Sequence, residues 1–246
     1  MYQHELPRYL LPKYQDEPRY LPTAEELPNS DDTPVDNELQ ELIPSLLKSI
    51  LRMLWKGRMD WFFGINMGIY ADSEQPLIVP DGFLSLNVER HYDEELRLGY
   101  LLLEEEIPPI LALEVVYNPL GGEYMTKLDE YARMGVLYYV IYNPKRRRNP
   151  RLEIHKLTQG SYQLQNANPL WMPEVGLGIG SERAEYDGLT REWLYWYDEN
   201  DKRYPTPYEQ IEQERQQTEL ERQRADRLTA QLRELGIEPG ETLGLE

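Results

Sequence analysis

Cysteine is absent from the 246 residues. That excludes disulfides, cysteine-ligated zinc, iron–sulfur clusters and thiol nucleophiles. Histidine is scarce as well. His4, His91 and His155 fall in a proline-rich arm, an acidic segment and a hairpin strand, with no ligand or catalytic spacing between them. No apolar run reaches the roughly 18 residues that a bilayer span requires. The first residues, Met1 to Glu5, lack the basic patch and apolar stretch of a secretory signal. A reducing cytoplasm is the expected compartment, with no membrane association. Positive charge is also in short supply: 26 Lys and Arg stand against 44 Asp and Glu, a net charge of −18. Such a chain repels phosphate backbones at long range, so any nucleic-acid contact needs a local basic surface. One stretch offers it, Lys145, Arg146, Arg147 and Arg148 followed by Arg151. The same stretch also reads as a solvated hairpin loop.

What is present suits one domain of ordinary size with extensions. Residues 1–36 are rich in Pro, Asp and Glu, with Leu-Pro repeated at Leu6-Pro7, Leu11-Pro12, Leu21-Pro22 and Leu27-Pro28. Proline this dense blocks helix and central strand, so an extended or disordered acidic arm is expected. Asp36-Asn37 reads as a helix cap before residues 38–55, whose leucines and isoleucines recur at helical spacing; Pro44 is expected to kink that helix or reset its start. Strand-like runs follow at 61–70 and 77–86. An acidic, exposed insertion is expected over 89–106. A strand at 110–117, a helix from Lys127 to Met134 and a strand at 136–142 come next. The connection from 117 to 136 is long enough for a crossover, so those two strands can run parallel. Residues 152–157 and 161–165 read as a hairpin turning at Gly160. Residues 170–204 read as a terminal strand pair, which closes a domain over 37–204. The rest, 205–246, is a charged helical tail with coiled-coil character. Ile211, Thr218, Ala225 and Leu232 lie seven apart, the pattern of a self-association helix, although a single charged helix also fits.

The chemistry centres on Glu114, a carboxylate inside an otherwise apolar strand. Burying it is costly unless a cation or hydrogen-bond donors meet it. Pro80-Asp81 supplies a second carboxylate at the head of another apolar run. Two strand-borne carboxylates are hard oxygen ligands for Mg²⁺ or Mn²⁺, and the carbonyl of Val115 is the natural third. The pattern is Pro-Asp followed by Asp/Glu-x-Lys, except that the lysine slot after Glu114 holds Val116. Lys127 on the next helix is the candidate replacement, with Tyr131 one turn further along the same side. The expected fold is α/β, a restriction-endonuclease-like mixed β-sheet core flanked by helices.

On Asp36-Asn-Glu-Leu-Gln40, Asp60-Trp-Phe-Phe-Gly64, Val79-Pro-Asp-Gly-Phe-Leu-Ser-Leu86, Leu113-Glu-Val-Val116, Gly121-Gly-Glu-Tyr124, Lys127, Tyr131-Ala-Arg-Met-Gly-Val136, Tyr138-Tyr-Val-Ile-Tyr-Asn-Pro144 and Trp171–Gly180, the chain resembles the Uma-two family over about residues 32–204. The resemblance implies a restriction-endonuclease-like fold and a divalent-metal site at Asp81, Glu114 and Lys127. Two positions depart from the family pattern. Tyr117 replaces a usual serine, and Met125 replaces a usual acid, for which Glu123 is the nearby substitute. Two functions follow. One is metal-dependent hydrolysis of DNA phosphodiester bonds, in a chain that forms a homo-oligomer, a dimer being the simplest. The other is a non-catalytic scaffold or binding protein that keeps the nuclease fold.

Overall fold

The computed structural model describes residues 38–71, 77–90, 96–116, 125–146 and 150–235. The arm, the Asp36-Asn37 cap, Tyr117, Glu123, Arg147, Arg148, His4 and His91 lie outside the described residues. The path runs α1 (Leu39–Leu54), β1 (Trp61–Ile65), β2 (Ile69–Tyr70), β3 (Gly82–Leu86), β4 (Tyr100–Leu101), α2 (Leu102–Glu105), β5 (Leu111–Val115), α3 (Thr126–Met134), β6 (Tyr138–Tyr142), β7 (Leu152–Thr158), β8 (Ser161–Gln165), β9 (Leu170–Met172), β10 (Leu177–Tyr186), β11 (Leu189–Tyr197) and α4 (Pro207–Glu234). A six-stranded mixed sheet, ordered β1-β3-β5-β6-β7-β8, forms the centre. Only β5 and β6 pair in parallel within it, joined through α3; the other pairs are antiparallel.

Period-two alternation divides β5 between two cores. Leu111, Leu113 and Val115 face α1 and the second sheet, while Ala112 and Val116 face the side that holds Tyr131 of α3. Glu114 shares that second face by the same alternation. In α1 the residues Leu39, Ile43, Leu46, Leu47, Ile50 and Leu51 are buried. The helix is continuous through Pro44, so its start is not reset there. Pro44 sits near the helix start and packs where β3 begins. A Cβ on Gly82 would lie 3.0 Å from Pro44 Cβ and 3.3 Å from the Phe63 ring. The missing side chain at Gly82 is what lets α1 approach the residue before it, Asp81.

Residues 170–204 form three strands rather than the expected pair, ordered β11-β10-β9. They pack on α1, and the indole Nε1 of fully buried Trp196 donates to the carbonyl of Leu47 at 3.0 Å. The expectation of an exposed insertion over 89–106 is corrected in part. Within it, β4 pairs with β2, Tyr100 is fully buried, and its hydroxyl donates to the Ile107 carbonyl at 2.7 Å. Acidic flanks hid the apolar run Tyr100 to Leu103; the Tyr100 ring stacks on Phe62 and meets Phe83 edge-on. The run 61–70 divides at Asn66, which takes a left-handed conformation at φ 46° and separates β1 from β2.

At the other end, α4 starts with a reciprocal cap. Thr206 Oγ1 accepts from the Glu209 amide at 3.1 Å, and Glu209 Oε2 accepts from the Thr206 amide at 2.7 Å. Arg203 grips Glu209 with two guanidinium nitrogens at 2.8 and 2.9 Å and lies over the Tyr195 ring at 4.5 Å. Beyond this first turn the helix runs with Ile211, Leu220 and Leu228 exposed. Among the described residues, no helix is long and apolar enough to cross a membrane.

Candidate active site

The antiparallel register of β3 and β5 sets Gly82 opposite Leu113. One residue further on, the same register sets Asp81 opposite Glu114. Directly opposed residues in an antiparallel pair lie about 4.5–5.5 Å apart and share a face, so the two carboxylates become neighbours. Both are buried, Asp81 at 8% exposure and Glu114 at 4%.

Each carboxylate is met by its own donors. Asp81 Oδ2 accepts from the Val115 amide at 2.6 Å, and Oδ1 accepts from Gln40 Nε2 at 3.3 Å. Glu114 Oε1 accepts from Lys127 Nζ at 3.0 Å and from the Tyr131 hydroxyl at 2.8 Å. Lys127 and Tyr131 are four residues apart on α3, so their side chains stack on one face and reach the same oxygen. The structure thus brings together Asp81, Glu114, Val115, Lys127 and Tyr131 from the sequence-derived set.

The electrostatics of this cluster are lopsided. Burial pushes the Asp81 carboxyl up to about 8, and the Glu114 charge opposite adds to the rise. The Val115 amide, the Lys127 ammonium and the Gln40 amide pull the other way without prevailing. Near neutral pH the bare site therefore holds a proton on Asp81. Tyr131 is pushed well above its ordinary range, first by burial and next by Glu114. It remains a hydrogen-bond donor to the carboxylate and has no capacity to act as a base near neutral pH.

Gln40 is the site residue that the sequence analysis passed over. It lies in α1, 41 residues from the carboxylate it touches. The available signal was weak: Gln40 precedes buried Pro44 by one helical turn, which puts a polar side chain on the core-facing side.

The basic loop emerges from the same end of the sheet as the carboxylates, because β5 and β6 run parallel with Val115 opposite Tyr142. Two of its arginines are already engaged. Arg146 pairs with Glu153, and Arg151 pairs with Glu192 at 3.1 Å. Lys145 is exposed, and its amide donates to Asn143 Oδ1.

Removing the Tyr131 hydroxyl tests how far this buried carboxylate depends on neutral donors. Tyr131→Phe keeps the ring against Tyr139, 4.9 Å between centroids, and deletes one donor to Glu114 Oε1. The expected loss is about 1–3 kcal/mol in urea unfolding of metal-free protein, at constant m-value. An unchanged midpoint would show that the hydroxyl is dispensable to Glu114.

A family model named Uma2 and described as putative restriction endonuclease matches residues 27–185. Among solved structures, the chain is similar to one described as a putative nuclease belonging to DUF820 from Anabaena variabilis ATCC 29413. That similarity is 13% identity over 62% of this chain and 89% of that chain, with a TM-score of 0.44. No curated protein matches.

Proposed function

Because the chain belongs to the Uma2 family of putative restriction endonucleases, we propose that it is a divalent-metal-dependent endonuclease hydrolysing DNA phosphodiester bonds. The observation that carries this reading is the opposed, buried pair Asp81 and Glu114: burial first, and the Glu114 charge next, push Asp81 up to about 8. A buried pair of this kind needs a further cation to hold both members ionised. The donor set suits Mg²⁺ or Mn²⁺, being oxygen only. Among the described residues no third acid or histidine joins the pair. The remaining protein ligand would be a main-chain oxygen. In a strand the N–H and C=O of one residue turn to the same neighbour, so the Val115 carbonyl faces the side on which its amide meets Asp81.

Bound there, such a cation would polarise the scissile phosphate and acidify a water. The chain's own groups do the rest. Gln40 and the Val115 amide hold Asp81 in place, and Tyr131 holds Glu114. Lys127 carries a positive charge beside Glu114 and offers it to a phosphate oxygen as negative charge builds there. Lys145 and its arginine neighbours approach the backbone from the same sheet end. In this reading residues 37–204 are the catalytic domain, and α4 is an appended helix through which two copies associate.

The second reading is a non-catalytic scaffold that keeps the fold. It is favoured by the completeness of the Lys127–Glu114 pair, which satisfies Glu114 without metal, and by the net charge of −18. Cleavage of plasmid and short duplex DNA with Mn²⁺ separates the two. Wild type is expected to cut, while Asp81→Asn loses metal-dependent cleavage with its ligand and Lys127→Met loses about 10²–10³-fold, an oxyanion-type contribution. Undiminished cleavage by Asp81→Asn would remove it from the mechanism. No cleavage by wild type, with no metal-dependent change in melting, would favour the scaffold.

A further inference from the structure

A second cluster of charge lies on the open edge of β1, outside the carboxylate site. We infer that the cavity there, rimmed by Lys48, Arg52 and Arg90, is a binding site for a phosphate group, carried either by a nucleic-acid strand or by a free nucleotide. The cavity measures about 300 Å³. α1 supplies Lys48 and Arg52 to its wall, β1 supplies Trp61 to Ile65 with Met67 beyond, the segment after β3 supplies Arg90, and the segment before β4 supplies Leu96 and Arg97.

Three observations point to an anion. First, the cations repel one another. Burial, followed by the charges of Arg52 and Arg90, holds the Lys48 ammonium below its usual range. Second, none of the three forms an ion pair with a described carboxylate; Arg90 instead lies over the Trp61 ring at 5.6 Å. The fourth cation of the wall, Arg97, is already neutralised by Glu105, with contacts at 2.5 and 3.0 Å. In a chain with a net charge of −18, three cations on one cavity wall are a local concentration of positive charge.

Third, main-chain donors face the same edge. β1 is the terminal strand of the sheet. Its bonds to β3 are phased by the Asn87 amide on Asp60 O and the Asn66 amide on Asp81 O. Ladder bonds alternate along an antiparallel pair, so the main-chain groups of Trp61, Phe63 and Ile65 turn outward, to an edge that no described strand pairs. Guanidinium forks, an ammonium and outward amides converging on a compact hollow suit the concentrated charge of a phosphate. A row of carboxylates would need an extended groove. The apolar walls, Phe62, Ile65, Met67 and Leu96, accommodate the sugar or base beside that phosphate.

The position is informative too. Ile65 pairs with Gly82 next to Asp81, so the cavity lies two strands from Glu114, about 10 Å at ordinary strand spacing. A strand of nucleic acid can occupy both places. The phosphate assignment itself does not rest on the cleavage reading.

Titration calorimetry on the full chain tests it, using inorganic phosphate, a 5′-mononucleotide, a 12-nucleotide single-stranded DNA and an octaglutamate peptide. Wild type is expected to bind phosphate or the mononucleotide saturably at one site. The double variant Lys48→Gln/Arg52→Gln and the independent variant Arg90→Gln are expected to bind at least about tenfold more weakly with unchanged melting points, one lost charge contact being worth about that much. Asp81→Asn is expected to bind as wild type does, which separates this site from the catalytic reading. Loss of oligonucleotide affinity in the double variant, with its log–log salt slope reduced by about 1.4, identifies a nucleic-acid strand as the source. An unaltered oligonucleotide affinity beside a weakened mononucleotide identifies the free nucleotide. No binding by wild type, or equal binding by the variants, overturns the inference. Tighter binding of octaglutamate than of phosphate at matched ionic strength overturns it in favour of an edge-strand peptide.

Discussion

Mn²⁺ at about a hundred times its dissociation constant is expected to raise the melting temperature of the full chain by roughly 5–10 °C near pH 8, and by little near pH 5. The pH dependence comes from Asp81. Its folded-state value, about 8, lies above the ordinary 3.8. A carboxyl shifted in this direction gives the metal-free chain stability that is fully present below about pH 4 and is lost as the pH rises through about 8. A metal needs the ionised form and must displace the proton to bind, so its grip strengthens over the same window. Asp81→Asn removes the buried charge and the ligand together. The variant is expected to melt no lower than wild type near pH 8 without metal, and to ignore Mn²⁺ throughout. Scanning calorimetry at several pH values reads both effects. A Mn²⁺ shift of equal size at both ends of the window, or one that survives in Asp81→Asn, would place the metal elsewhere.

Trp196→Ala carries the largest expected loss of stability. The indole is fully buried where α1 meets β11, and its Nε1 donates to the Leu47 carbonyl, 149 residues away in sequence. Truncating a buried tryptophan costs about 3–5 kcal/mol through lost packing and the residual cavity. That is a large share of a typical total of roughly 5–15 kcal/mol. Urea unfolding should show the midpoint falling steeply, with Trp196→Phe intermediate because it fills much of the space but leaves the Leu47 carbonyl without its donor. The effect reaches the site. α1 carries Gln40, the Asp81 partner, and Pro44, which packs against Gly82. Loosening α1 should therefore weaken Mn²⁺ binding in Trp196→Ala even at temperatures where the chain stays folded. Equal Mn²⁺ affinity in folded mutant and wild type would show that Gln40 contributes nothing to holding Asp81.

Local rules made much of this legible in the sequence. Lys127 and Tyr131 stand four apart on one helix, so their shared approach to Glu114 followed from helical geometry once Glu114 was recognised as a charge in an apolar strand. The parallel pairing of β5 and β6 followed from the length of the connection between them, and the β7–β8 hairpin from Gly160 at its turn. The remainder depended on which distant segments meet. Gln40 meets Asp81 only because the helix crosses the head of β3, and no local pattern encodes that crossing. Tyr100 was hidden because its burial depends on Phe62 and Phe83 arriving from other strands, while its short apolar run lies between the charged stretches 89–97 and 104–106. The cavity on β1 was invisible for the same reason. Lys48, Arg52 and Arg90 are unremarkable surface cations until α1 and the end of β3 bring them to one edge. Pro44 did not reset the start of α1: helix precedes it from Leu39, and the buried face from Leu39 to Leu51 packs as one surface, which outweighs the lost amide donor.

The cap of α4 has a mechanical corollary. Its 28 residues rise about 42 Å at 1.5 Å each. Its first turn is fastened by Thr206, Glu209 and Arg203. A rod fixed at one end works as a lever arm: whatever grasps the far end transmits torque to β10 and β11 through the Arg203 contacts, and is held at a set stand-off rather than within the diffuse cloud that a flexible linker would allow.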